Sequence, residues 1–171
     1  PKPSSAASDV YKRQTEGIRE EDLATGLPDK TSAPYAMGKT AVHFNLMAMN
    51  KQYGMKNITI VPSNVYGPYD HFDPEDGHVV PALICKIHEA KKNDLASLEM
   101  VGSGLASRDF LYAPDLLEPL KQIIEMPHLN SRLPGIINFG TQKPTSIKTL
   151  AQNICDVVGY HGELIWEEHS I

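Results

Sequence analysis

Hydrophobic positions recur in two rhythms along this chain. Ile58 to Val61 and Ile136 to Phe139 are short, almost unbroken apolar runs, and Leu98 to Val101, Arg108 to Tyr112 and Glu163 to Trp166 are short, mixed ones. Runs of this length, rich in β-branched residues and bounded by Pro or Gly, predict strands, the unbroken ones buried on both faces of a parallel sheet. Between them the spacing turns helical. Thr31 and Ser32 offer caps and Pro34 suits a first helical position, so a helix is expected from Tyr35 to about Tyr53, with Val42, Leu46 and Met49 on its apolar face and Gly54 as its stop. A second helix begins at His78, with Pro81 in its first turn and Lys91 and Lys92 in its last. Asp115 to Glu125 reads as a third, delayed or kinked by Pro119. Ser146 to Val158 is the most amphipathic: Ile147, Leu150, Ala151, Ile154, Val157 and Val158 share a face, and Gly159 ends it. Strands alternating with helices predict an α/β fold with mostly parallel pairing.

Two stretches depart from these rhythms. Residues 1–14 show no apolar periodicity and read as a non-native junction or a disordered leader, so the domain is expected at 15–171. Thr15 to Pro34 is a polar loop with an acidic turn at Glu20 to Asp22, and the segment from Ser63 to Gly77 is a long loop leaving the carboxyl end of the first strand.

Composition narrows the class. The chain has 171 residues, 41% hydrophobic and 22% charged, the profile of a globular protein with a core of its own. A net charge of −5 argues against a general nucleic-acid surface while leaving room for a local basic pocket. No apolar run approaches the roughly 20 residues of a membrane span. Cys85 and Cys155 lie on apolar helix faces as inert thiols, with no zinc spacing and no disulfide framework. A cytoplasmic location is the expectation.

One spacing carries chemistry. Tyr35 and Lys39 stand four residues apart, hence on one helix face about 6 Å apart along the axis. An ammonium beside a phenol favours the phenolate, and the pair is an acid/base device for a carbonyl or an alcohol. By spacing alone, an ordinary surface pair is the better account of it, since Tyr and Lys four apart on a helix occur often by chance. The next strand, however, runs straight into Pro62-Ser63-Asn64-Val65-Tyr66-Gly67-Pro68, at a strand carboxyl end, where open parallel sheets bind their ligands.

Y-x-x-x-K followed one helix and strand later by P-x-N-x-Y-G-P resembles the extended short-chain dehydrogenase/reductase (NAD-dependent epimerase/dehydratase) family of sugar-nucleotide enzymes. Further likeness lies in Asp70, Phe72 and Asp73, in His78 to Ile84 with Lys86 and His88 to Ala90, in Gly102 to Gly104, in Arg108 to Leu111 and in Val157 to Tyr160. Together these point to the branch that epimerises and reduces GDP-4-keto-6-deoxy-mannose with NADPH.

The resemblance implies a fold, the C-terminal part of a Rossmann-type parallel sheet plus a smaller α/β substrate-binding lobe, without the N-terminal glycine-rich half. It implies roles as well. Tyr35 is the general acid, and Lys39 binds the nicotinamide ribose. Pro62, Ser63, Asn64 and Val65 lie against the nicotinamide of NADP. His78, near the cofactor, protonates the epimerised carbon. Lys86, where the family usually has Arg, and Arg108 contact the nucleotide diphosphate, and Val101 stands where a Trp usually lines the substrate site. A homodimer through the helix bearing the tyrosine is implied for the full-length protein, with this piece inactive alone. An NAD-dependent epimerase or dehydratase acting on another nucleotide sugar is the alternative, favoured by Val101 and Lys86.

Overall fold

The computed structural model describes residues 19–28, 30, 32–125 and 135–167; the leader expected at 1–14 lies outside them. The elements, in order, are a 3-10 turn Glu20–Asp22, α1 (Ala33–Tyr53), β1 (Thr59–Pro62), β2 (Asn64–Tyr66), α2 (Val79–Lys92), β3 (Ser97–Met100), β4 (Ser107–Arg108) and β5 (Phe110–Tyr112). A 3-10 turn Ala113–Leu116, α3 (Leu117–Glu125), β6 (Ile136–Phe139), β7 (Thr145–Ser146), α4 (Ile147–Val158) and β8 (Glu163–Trp166) follow. Helix ends obey local chemistry. Gly54 and Gly159 take the left-handed conformation that ends α1 and α4, and the Ser146 hydroxyl accepts the Thr149 N–H as the cap of α4. Pro119 falls in the first turn of α3, where its missing N–H costs nothing, and the tighter turn Ala113–Leu116 precedes that helix.

The chain forms two compact units. In the unit made of Asn64–Leu111 and the residues from Thr141 onward, β3 pairs parallel with β8, matching Leu98 to Leu164, and β4 pairs antiparallel with β7. Its core is the α2–α4 contact laid on that sheet: Leu83, Ile87 and Ala90 meet Ala151, Ile154 and Cys155, closed by Met100 and Tyr160. Ile87 and Ala151 are wholly buried, and a buried Ile side chain contributes about 1.5–3 kcal/mol. Lys91 crosses to α4, its Nζ donating to the Val158 carbonyl at 2.6 Å.

In the unit made of residues up to Ser63 with Tyr112–Gly140, β1 and β6 pair parallel, Thr59 opposite Ile136. The Glu20 carboxylate accepts the Asn138 N–H of β6 at 3.0 Å, which holds its own charge below the usual glutamate range. Helix α1 is tied to β1 by His43, whose Nδ1 lies 2.8 Å from the Thr59 hydroxyl.

Several expectations need correction. The loop after β1 contains a strand, β2, paired with β5. The expected strand from Arg108 to Tyr112 is two strands, parted at Asp109. The stripe of Val42, Leu46 and Met49 does not bury: Val42 and Met49 are exposed and Leu46 half-buried, while α1 buries Ala36 and His43. Val157 of α4 is 89% exposed, because the core takes Ala151, Ile154 and Cys155. Cys85 is only half-buried.

Candidate active site

Helix α1 carries the first pair. Its 3.6-residue turn puts Lys39 directly above Tyr35, and the Lys39 Nζ lies 5.4 Å from the centre of the Tyr35 ring. The ring is 53% exposed. A phenol and an ammonium therefore share one open helix face, and at this range the cation also meets the ring's π face. Pro62 and Ser63 belong to the same unit. Pro62 ends β1, and the Ser63 N–H extends the ladder by donating to the Phe139 carbonyl at 2.7 Å. The Ser63 hydroxyl is buried and has no hydrogen-bond partner among the described residues. A buried polar atom left unpaired is costly, and one at the carboxyl end of a parallel strand is placed to meet a ligand.

The remaining expected residues belong to the other unit. Asn64 opens β2, its N–H and Nδ2 both donating to the Asp109 carbonyl, at 3.1 and 3.0 Å, and Val65 beside it is exposed. His78 caps the backbone of α2: its carbonyl accepts the Ala82 N–H at 2.9 Å, while its imidazole makes no capping bond and stays exposed. Lys86 lies half-buried on α2. Val101 follows β3 and is 71% exposed. Arg108 is half-buried in β4, its Nη1 donating to the Ser107 carbonyl at 2.7 Å, and burial draws its guanidinium below the ordinary arginine value.

The structure also brings forward residues that spacing alone did not single out. The Asp109 carboxylate gathers the N–H groups of Thr141 and Gln142, at 3.2 and 3.1 Å, and the Thr141 hydroxyl. Gln142 is held at positive φ. These partners stand more than thirty positions away, so no local pattern announces them. His43 is a second case. A histidine inside an apolar helix reads as an interruption until Thr59 supplies its partner.

The model of the NAD dependent epimerase/dehydratase family matches residues 3–140. The chain belongs to that family. Among its members with known names, it is 42% identical to GDP-L-fucose synthase of Sinorhizobium fredii over 166 residues, which is 94% of this chain and 50% of that protein. Among solved members of the fold, it resembles a GDP-L-fucose synthetase from Naegleria fowleri at TM-score 0.78 and 26% identity, covering 89% of this chain and 47% of the other. The GDP-mannoheptose C4 reductase of Campylobacter jejuni with NADP bound gives TM-score 0.75 and 26% identity, covering 89% and 55%. The chain thus spans about half the length of the relatives it matches, and its mixed α/β architecture with parallel strand pairs is that of the family's Rossmann-type reductases and epimerases.

Proposed function

We propose that the full-length protein is an NADPH-dependent epimerase-reductase of the GDP-L-fucose synthase type, converting GDP-4-keto-6-deoxy-D-mannose to GDP-L-fucose. The observation that carries this reading is the open Tyr35–Lys39 face on α1, read with 42% identity to a GDP-L-fucose synthase.

The residues present fit a nicotinamide cofactor. Lys39 offers a cation for ribose hydroxyls, and the unpaired Ser63 hydroxyl with the backbone around Pro62 offers polar contacts for the nicotinamide end. NADPH, when bound, supplies the hydride. Tyr35 then gives its phenolic proton to the oxygen of the reduced ketone, and Lys39 stands as counterion to the phenolate left behind. His78, exposed at the start of α2 with no capping bond from its side chain, delivers a proton to the epimerised carbon after a base outside the described residues has taken the original proton from it. Asn64 and Val65 continue the same segment of chain and are read as nicotinamide contacts as well. Arg108 and Lys86 take the diphosphate, Arg108 with the planar fork that suits it and Lys86 as a point charge. Val101 faces the sugar nucleotide without the flat surface an aromatic residue gives.

The enzyme works as a homodimer through α1, which exposes Met37, Val42, Phe44 and Tyr53 to solvent, more apolar surface than a monomeric helix ordinarily shows. No described helix is long and apolar enough to cross a membrane, in keeping with a cytoplasmic enzyme. The likeness to a GDP-mannoheptose C4 reductase favours one second reading, an enzyme acting on another nucleotide sugar.

Tyr35→Phe in the full-length protein tests the reading. NADPH oxidation on the 4-keto substrate is expected to fall by about a hundredfold or more, the scale of a lost general acid, with NADPH binding retained. Unchanged turnover would overturn it. A panel of nucleotide sugars separates the two readings: redox-neutral turnover of another sugar decides for the second.

A further inference from the structure

Asp109 stands where one strand breaks into two, between β4 and β5. It uses both of its ends. Its carboxylate accepts from the Thr141 N–H, the Thr141 hydroxyl and the Gln142 N–H. Its carbonyl accepts both the backbone N–H and the side-chain amide of Asn64. Asn64 and Thr141 are the residues at which the chain enters this unit from the other. Asn64 also follows Ser63 directly, so it lies within the segment from Pro62 to Val65. The Asp109 carbonyl meets Asn64 at the start of the β2–β5 pairing, while the carboxylate of the same residue holds the chain at Thr141 and Gln142. A carboxylate satisfying two backbone N–H groups and a hydroxyl at once is a charge-assisted anchor of the stronger kind.

We propose that Asp109 is a positioning residue for the nicotinamide-binding segment: it touches neither cofactor nor substrate but sets where Asn64 and its neighbours stand. This rests on the cofactor reading given above. A residue acting in this way governs cofactor affinity and leaves the chemical step alone, whereas a residue that only supports the fold lowers stability and activity together.

The test uses the full-length protein with Asp109→Asn, which keeps one acceptor oxygen and loses the charge, and Thr141→Val, which removes only the hydroxyl arm. NADPH affinity is measured by fluorescence titration, kcat at saturating NADPH, and amide exchange at Asn64, Thr141 and Gln142 by mass spectrometry. Asp109→Asn is expected to weaken NADPH binding about tenfold, the equivalent of one charge-assisted bond, with kcat within about twofold of wild type and faster exchange at all three amides. Thr141→Val should shift affinity and exchange in the same direction by less. If Asp109→Asn does not fold, Thr141→Val decides. Affinity equal to wild type despite faster exchange at Asn64 overturns the proposal, as does a fall in kcat with affinity retained. A wild-type protein that fails to bind NADPH overturns the cofactor reading instead, and the two failures are told apart by that first titration.

Discussion

Replacing Tyr160 by Phe should stabilise this protein. Tyr160 closes the α2–α4 core and is 6% exposed, yet its hydroxyl has no hydrogen-bond partner among the described residues. A buried hydroxyl without a partner costs about 1–3 kcal/mol in lost hydration. Removing the oxygen leaves a void of roughly 10–20 Å³, which at about 24 cal/mol per Å³ returns less than about 0.5 kcal/mol. The net gain is about 1 kcal/mol, a rise of about 2–4 °C in Tm for a chain of this size. Urea unfolding at pH 7 checks it through a higher midpoint at unchanged m-value. The pH dependence gives a second handle. Burial pushes the Tyr160 phenol above its ordinary 10.0 and the Cys155 thiol above its ordinary 9.0, with Asp156 adding to the latter. The folded state therefore keeps both protons longer than the unfolded chain does. Their contribution is complete below pH 9 and drains away as pH climbs through the ordinary values towards the raised ones. The Phe variant lacks the phenol's share of that loss, so its advantage should widen above pH 10 while the thiol's share persists. A Phe variant less stable than wild type by 1 kcal/mol or more would refute the reasoning, since it would mean that the hydroxyl is bonded.

Three further outcomes are expected. Gly104→Ala should destabilise by about 2–4 kcal/mol in thermal unfolding, because the position sits at φ +70 and an added Cβ would stand 2.7 Å from the Trp166 ring. His43→Leu should cost about 1–3 kcal/mol by orphaning the Thr59 hydroxyl, and Thr59→Val added to it should recover part of the loss, a coupling that a double-mutant cycle in urea resolves. Glu20→Gln should lower stability slightly at neutral pH and flatten the acid limb. The Glu20 carboxylate, held low by the Asn138 N–H, contributes above its ordinary 4.5 and loses that contribution as pH falls through its lowered value, which a pH series of thermal melts follows.

How far the fold was legible depends on where each element's partners lie. The runs that became β1, β6 and β8 announce themselves because strand composition and terminators are local. α4 is equally plain: Ser146, the apolar face and Gly159 all sit within its own span. β2 and β7 escape because Asn64 to Tyr66 and Thr145 with Ser146 owe their extended form to β5 and β4, which no nearby residue specifies. On α1 the apolar period misleads, since the side turned inward carries an alanine and a histidine, and the histidine is affordable there only through a hydroxyl on another element. The candidate site divides the same way. Tyr35 and Lys39 are readable because four residues make one helical turn, and Pro62 to Val65 because they end a strand. Asp109 is not, because its donors come from Asn64 on one side and Thr141 on the other.

Both units are discontinuous in the chain, and this bears on how the protein comes to be made. As synthesis proceeds, Thr59 to Pro62 leaves the ribosome well before its register partner, which begins at Ile136. Ser97 to Met100 likewise waits for Glu163 to Trp166, nearly the last described element to be translated. Each unit waits for its second stretch of chain, from Tyr112 in the one and from Thr141 in the other. Nascent chains should therefore pass through an interval in which these strands are exposed and chaperones matter most, and in chains stalled before residue 136 the segment from Thr59 to Pro62 should remain open to protease.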